Sequence, residues 1–270
     1  MTEVSVLNET AAHDRLAQHM YENLSEAAPY VEKITGLHLP AIITVKLVTV
    51  DGFATAHGAF VRRQIERDTE GRQLTERQRM KAAALPEAAA VSARALWMVE
   101  EPVLTATSDG RPVTLIVPEA LHHLGLADVP DLVYDAMVRI LAQQVQVAAC
   151  EGALVPAPEW PPVVPRKDPI TQLSNGHAQW TSTQVTTHIL GRPVDRAQRR
   201  RPRTFLLQRA FICLMDPIAG TRLNRATALV DRAVSTVGLD TFNRVWTTDG
   251  LVPTLAEFRS PDRWIERLRA

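Results

Sequence analysis

The stretch from Asp131 to Glu151 constrains this chain more than any other. Written as a helix, it spreads Leu132, Val133, Ala136, Met137, Ile140, Leu141, Val145 and Ala148 over more than one face. A surface helix keeps one apolar stripe, whereas a helix that is apolar on several faces has to be enclosed by other elements. The chain has 270 residues, 46% of them hydrophobic and 22% charged. That is ample material to enclose such a helix in a single globular domain, and it excludes wholesale disorder.

The elements available to cover it are mostly helical. Residues 9–34 repeat Leu16, Met20, Leu24, Ala27 and Val31 at spacings of three or four, the pattern of an amphipathic helix. A break at Leu37–Pro40 precedes Ile42–Val50, whose β-branched residues predict a strand. The charged stretch 62–81 reads as a solvated helix–loop–helix, and 75–99 as a helix interrupted near Pro86. Two apolar runs, 103–107 and 113–117, flank Ser108-Asp109-Gly110 and predict a β-hairpin. A short helix at 118–124 follows. Residues 153–169 contain six prolines and cannot form regular structure. Helices are expected at 170–190, 203–215, 221–237, 239–247 and 261–269, with Gly238 as a helix stop. The fold class is therefore α+β, mostly helical with a small antiparallel sheet, since strands and helices do not alternate regularly.

Charge and cysteine usage exclude several classes. Thirty acidic and thirty basic residues cancel, and lysine occurs only at 33, 46, 81 and 167. The cancellation is uneven: residues 1–150 hold 19 acids and 13 bases, and residues 151–270 hold 11 and 17. No apolar run reaches the roughly 18 residues of a membrane span, and no leader pattern opens the chain. Cys150 and Cys213 are too few for a disulfide framework or a structural zinc site. A cytoplasmic protein, bound neither to membrane nor to nucleic acid, is the expectation. Phosphate-binding glycine loops and the G-x-S-x-G nucleophile elbow are absent from the sequence.

Histidine is the remaining source of general bases and metal ligands. His13 and His19 fall on the first helix, and His57 sits in a small-residue stretch that reads as a loop. His122 and His123 are adjacent, so on a helix they point about 100° apart and cannot chelate together. His177, in Ser174-Asn175-Gly176-His177-Ala178-Gln179-Trp180, is the candidate catalytic residue. Trp160, Trp180, Trp246 and Trp264 read as core.

Three segments carry a resemblance. Asn243-x-Val245-Trp246, Pro253-Thr254-x-x-Glu257 and Pro261-x-x-Trp264-x-x-Arg267 resemble the tail of a zincin-like metallopeptidase family, and Gly176-His177-Ala178 its Glu-Gly-His-Ala segment. Members of that family are widespread in actinobacteria and carry the labels hydrolase or coenzyme F420 biosynthesis-associated protein. The resemblance covers about residues 95–270 and leaves 1–94 divergent, within one zincin-like domain. It implies that the H-E-x-x-H zinc motif falls on the 131–151 helix. There the positions are Gln143, Gln144 and Val147, and the glutamate ligand falls on Asn175. Amides are weak zinc ligands and valine has no donor, so no metal and no cofactor is expected.

The expectation is then a degenerate, metal-free, non-peptidase protein. It would serve as a subunit or repurposed enzyme of bacterial specialised-metabolite biosynthesis, or as a non-catalytic scaffold. Gln143, Gln144, Gln146, Asn175 and Gln179 could line a polar pocket around His177, or form a buried amide network tying two helices. The run Arg192, Arg196, Arg199, Arg200, Arg201, Arg203 has three readings: a solvated loop, a site for an anionic small molecule, and a docking site for an acidic partner subunit or carrier protein.

Overall fold

A computed structural model describes residues 2–97, 103–106, 112–150, 169–196, 210, 219–248 and 250–270. The hairpin turn, the proline-rich stretch with Trp160, the expected helix 203–215 with Cys213, and Arg199, Arg200, Arg201 and Arg203 lie outside these residues.

The chain opens with strand β1 (Glu3–Asn8), helix α1 (Asp14–Thr35) and strand β2 (Ile42–Leu47). β1 and β2 pair in parallel, Glu3 opposite Ile42 through Asn8 opposite Leu47. Helix α1 is the crossover that parallel strands require. It starts at Asp14 rather than at residue 9 because Asn8 ties up the preceding turn. The Asn8 amide donates to the Ala12 carbonyl and to the Asp14 carboxylate, each at 2.7 Å, and its oxygen accepts from the Thr10 backbone N–H at 3.0 Å.

Two long helices, α2 (Val50–Thr69) and α3 (Glu76–Leu96), follow as an antiparallel hairpin. Thr75 caps α3 in a reciprocal capping box with Gln78. Two expectations are corrected here. His57 lies on α2 rather than in a loop: the small residues Gly52, Ala54, Ala56 and Gly58 read as a turn in sequence but sit inside the helix. Helix α3 runs unbroken through Pro86. Gly58 lets α2 approach it there; a Cβ at Gly58 would sit 2.8 Å from the Pro86 carbonyl oxygen.

Strands β3 (Val103–Ala106) and β4 (Pro112–Ile116) form the expected antiparallel hairpin. β4 then pairs in parallel with β2, which gives the order β1-β2-β4-β3. The sheet is thus not antiparallel: three of its strands are parallel, and only the β3 edge runs the other way. Pairing direction was hidden because β1 went unread and because the α1 and α2–α3 connections, not local pattern, return the chain to the same end.

The faces of the sheet follow from register. Ile43, Val45, Leu47 and Ile116 face a core shared with α1 and with α5 (Pro130–Ala149). Val113, Leu115 and Val117 face the other way, against Phe53, Ala54 and Ala93 of α2 and α3. A short helix α4 (Pro118–His123) leads into α5, which is buried on several sides as its composition requires. Helix α6 (Pro169–Leu190) packs on α5, and α7 (Ala219–Val237) packs on α6. A short α8 (Leu239–Asn243), a 3-10 turn (Arg244–Trp246) and α9 (Pro261–Arg269) close a third core around Trp180, Phe242, Trp246 and Trp264. No helix among the described residues is long and apolar enough to cross a membrane.

Candidate functional site

Helix α6 carries unusually polar residues into the interior. His177, Thr181, Ser182 and Thr186 are fully buried, and Gln179 is 8% exposed. Buried polar groups need partners, and α5 supplies them for His177 and Ser182. Gln146 Nε2 lies 2.9 Å from His177 Nδ1 and 3.1 Å from the Ser174 carbonyl oxygen, while the Ser174 hydroxyl donates to Gln146 Oε1. One amide thus joins a backbone carbonyl, a hydroxyl and an imidazole on the facing helix.

That contact sets the state of His177. Gln146 donates to Nδ1, so the neutral ring carries its proton on Nε2. The ring lies against Trp180 and Phe242 in stacked contacts at 5.8 and 5.6 Å, with Trp246 edge-on at 5.3 Å. Complete burial in this aromatic cage drives its pKa down to about 3.

A second cluster lies about three turns along α5 from Gln146, and its centre was not apparent from the sequence. Asp135 of α5 is fully buried. Its carboxylate accepts from Arg196 Nε at 3.1 Å and NH2 at 2.5 Å, from the Ser182 hydroxyl, and faces Arg139 Nε at 3.5 Å. Burial alone would raise its pKa, but Arg139 and Arg196 together with the Ser182 bond hold it below the ordinary value. With its oxygen turned toward Arg196, the Gln179 amide accepts from the same guanidinium. Arg192 pairs with Asp131 at 2.6 Å. Arg192 and Arg196, four residues apart, therefore match Asp131 and Asp135, one helical turn apart. The signal that could have found this was Asp135 itself, a lone acid among apolar neighbours on a buried helix, where an unpaired charge is not tolerated.

Other flagged residues are scattered. Gln144 faces the sheet and donates to Thr114 Oγ1 at 3.1 Å. Gln143 and Val147 are half-buried and Asn175 is exposed. The sequence-flagged amides therefore do not converge on one pocket: Gln144 bonds the sheet, Gln146 bonds His177 and Gln179 bonds Arg196, with Gln143 and Asn175 apart from them.

A cleft of about 450 Å³ opens between α6 and α7. Gln179, Trp180, Thr183 and Gln184 line one wall and Asn224, Thr227 and Asp231 the other, with Arg196 at one end. The Trp180 indole N–H donates to Asp231 Oδ1 at 3.1 Å across it. Close approach of the two helices elsewhere depends on Gly176, where a Cβ would sit 2.6 Å from the Ala226 carbonyl carbon.

The tail motif is a structural lock. Glu257 accepts from the Thr254 backbone N–H at 2.6 Å and hydroxyl at 2.9 Å, and from Arg267 at 3.2 and 2.8 Å. Arg267 also donates to the carbonyls of Gly250 and Val252. Trp264 donates to the Leu251 carbonyl at 2.8 Å, and Asn243 to the Thr35 carbonyl at 2.8 Å. These bonds fix the C-terminal turns against one another and anchor them to the end of α1.

Comparison with known proteins agrees with this architecture. Residues 170–265, from α6 to α9, match the model of the Zincin-like metallopeptidase family. The fold resembles the crystal structure of a "putative hydrolase with a novel fold" from Chloroflexus aurantiacus. The two share 15% identity at a TM-score of 0.56, over 96% of this chain and 92% of that one. Among curated proteins none matches the sequence.

The matched segment leaves out α5, the helix on which the sequence resemblance led us to expect an H-E-x-x-H motif. The residues present do not fit zinc. Gln144 is bonded to Thr114, Val147 has no donor atom, Asn175 points away into solvent, and the His177 Nδ1 is occupied by Gln146. Among the described residues no three His, Cys, Asp or Glu side chains are grouped to hold a metal ion.

Proposed function

We propose that this protein is a metal-independent, zincin-like binding protein. It acts as a non-peptidase subunit beside a partner protein in the cytoplasmic specialised metabolism of a bacterium. The observation that carries the reading is the use of α5: its metal-ligand positions hold Gln143, Gln144 and Val147, and its amides are spent on the sheet and on α6. Zinc hydrolysis needs three protein ligands and a free coordination position, and this donor set offers neither. The biosynthetic setting rests on the family resemblance of the tail and of Gly176-His177-Ala178.

Binding is favoured over turnover at His177. A general base has to reach the proton it abstracts, and this ring is fully enclosed with Nδ1 already bonded. Arg192 and Arg196 pair with Asp131 and Asp135, so neither guanidinium is free to clamp an anionic ligand or an acidic carrier protein.

Elemental analysis of the purified protein tests the central claim. Sub-stoichiometric zinc and a melting temperature unmoved by EDTA are expected. One tightly held zinc per chain, with chelator-sensitive hydrolysis of a peptide or ester, overturns it. The subunit role is read by size-exclusion chromatography after co-expression with the products of adjacent genes: a stable hetero-oligomer is expected, and a monomer throughout removes that part.

A further inference from the structure

We infer that the cleft between α6 and α7 binds a neutral, hydroxyl-rich small molecule, a polyol or a glycoside, and does not convert it. Its volume of about 450 Å³ lies in the range of small-molecule sites, roughly 300–1,000 Å³.

Charge narrows the ligand. Arg196 and Asp231 both line the cleft, so a simple anion meets Asp231 and a simple cation meets Arg196. The guanidinium is also largely spent. Nε and NH2 donate to Asp135, and NH1 and NH2 are shared with Gln179, so no bidentate fork remains for a carboxylate or phosphate. The buried Asp135 offsets its charge from behind. Zwitterions are disfavoured for the same reason, since their anionic end would lack that fork.

The remaining groups suit hydroxyls, which both donate and accept. Gln184 and Asn224 are exposed amides with no bond to another described residue, and each can donate and accept at once. Thr183 and Thr227 donate to the Gln179 and Leu223 carbonyls at 3.0 and 2.9 Å, which leaves their oxygen lone pairs facing outward as acceptors. Asp231 is held in place by Trp180, with Oδ2 available to accept from a hydroxyl. Leu223 and Ala228 add apolar surface for the C–H faces of a ring. Glycoside cleavage uses a pair of carboxylates across the bond. Among the described residues Asp231 is the one carboxylate lining this cleft, which supplies no such pair.

Saturation-transfer NMR on the full chain tests the inference with myo-inositol, methyl glucoside and methylammonium, and inorganic phosphate, which has no carbon-bound proton, is read by 31P line broadening. Transfer to myo-inositol or methyl glucoside is expected, weakened about tenfold by Gln184→Ala with Asn224→Ala, the worth of one or two hydrogen bonds. Both sites are exposed, so the variants keep the fold, and circular dichroism checks that they do. Arg192→Ala, outside the cleft, should leave binding unchanged. Three results overturn it: tighter binding of phosphate or methylammonium, neutral-probe binding that ignores the double variant, or no transfer to either neutral probe at about 100 mM, which would reveal sites weaker than millimolar. Zinc content does not enter this test, so its failure is separate from that of the metal-independent reading.

Discussion

Gln146 Nε2 stands 2.9 Å from His177 Nδ1, and through that contact α5 sets the protonation of a histidine it does not carry. The imidazole is neutral, enclosed by three aromatic rings, and its burial lowers the pKa to about 3.

The protein should therefore lose stability in mild acid. An unfolded histidine takes up a proton below about pH 6.5, whereas folded His177 stays neutral to about 3. The unfolded state then binds more protons, so this contribution is complete above pH 6.5 and declines as pH falls toward 3. The slope is at most about 1.4 kcal/mol per pH unit. Urea unfolding at pH 7, 6 and 5 measures it, and His177→Phe should flatten the slope. An imidazole NMR signal for His177 that titrates near pH 6.5 in the folded protein would refute the assignment.

Removing Gln146 should cost more than its size suggests. Gln146→Leu leaves the fully buried His177 Nδ1 without its donor and the half-buried Ser174 hydroxyl without its acceptor. Each orphaned buried group costs about 1–3 kcal/mol. The midpoint of urea denaturation should drop accordingly, and the His177 resonances should shift even where the fold is kept.

The two described arginines of the basic run should separate cleanly. Arg196→Ala strips the buried Asp135 of its bidentate partner but leaves it Arg139 and the Ser182 hydroxyl, a loss of about 1.5–3 kcal/mol for hydrogen bonds to a charged group. Arg192→Ala breaks a pair whose arginine side chain is 57% exposed, worth about 1 kcal/mol or less. The Arg196 pair also weakens at low pH: the Asp135 pKa is depressed in the fold, so its contribution is present above the ordinary carboxylate value and is lost as pH falls below it. Thermal melts of both variants at neutral pH check the contrast; equal losses would refute it.

Gly176→Ala should force α6 and α7 apart. Its Cβ would fall 2.6 Å from both the carbonyl carbon and the Cβ of Ala226, a backbone clash that no rotamer relieves. Overpacking of this kind costs about 1–3 kcal/mol. The same variant should weaken probe binding in the α6–α7 cleft, while Gly220→Ala, where no atom lies within 4 Å and the backbone is not left-handed, leaves the cleft alone.

Much of the helical frame was legible, because a helix declares itself in the spacing of nearby apolar residues. The spans around α5, α6, α7 and α9, and both hairpin strands, follow from such local patterns. β1 did not declare itself, being six residues run into a helix start, and small residues disguised α2 as a loop around His57. At the site, His177 and Gln146 were both flagged. Asp135, Ser182, Ser174 and Thr114 were not, because their roles exist only across contacts of 28 to 47 residues.

By itself the sequence determined that α5 is a core helix and that its C-terminal half carries Gln143, Gln144, Gln146 and Val147, with no histidine, cysteine or carboxylate among them. Both are statements about which atoms a residue has and how apolar its neighbours are. Only the tertiary structure decided that three strands run parallel, that Arg192 and Arg196 are matched to Asp131 and Asp135, and that Gln146 closes on His177. Those depend on which distant segments meet. Local periodicity sets what an element buries, but hydrogen-bond and charge partners are chosen when whole elements pack.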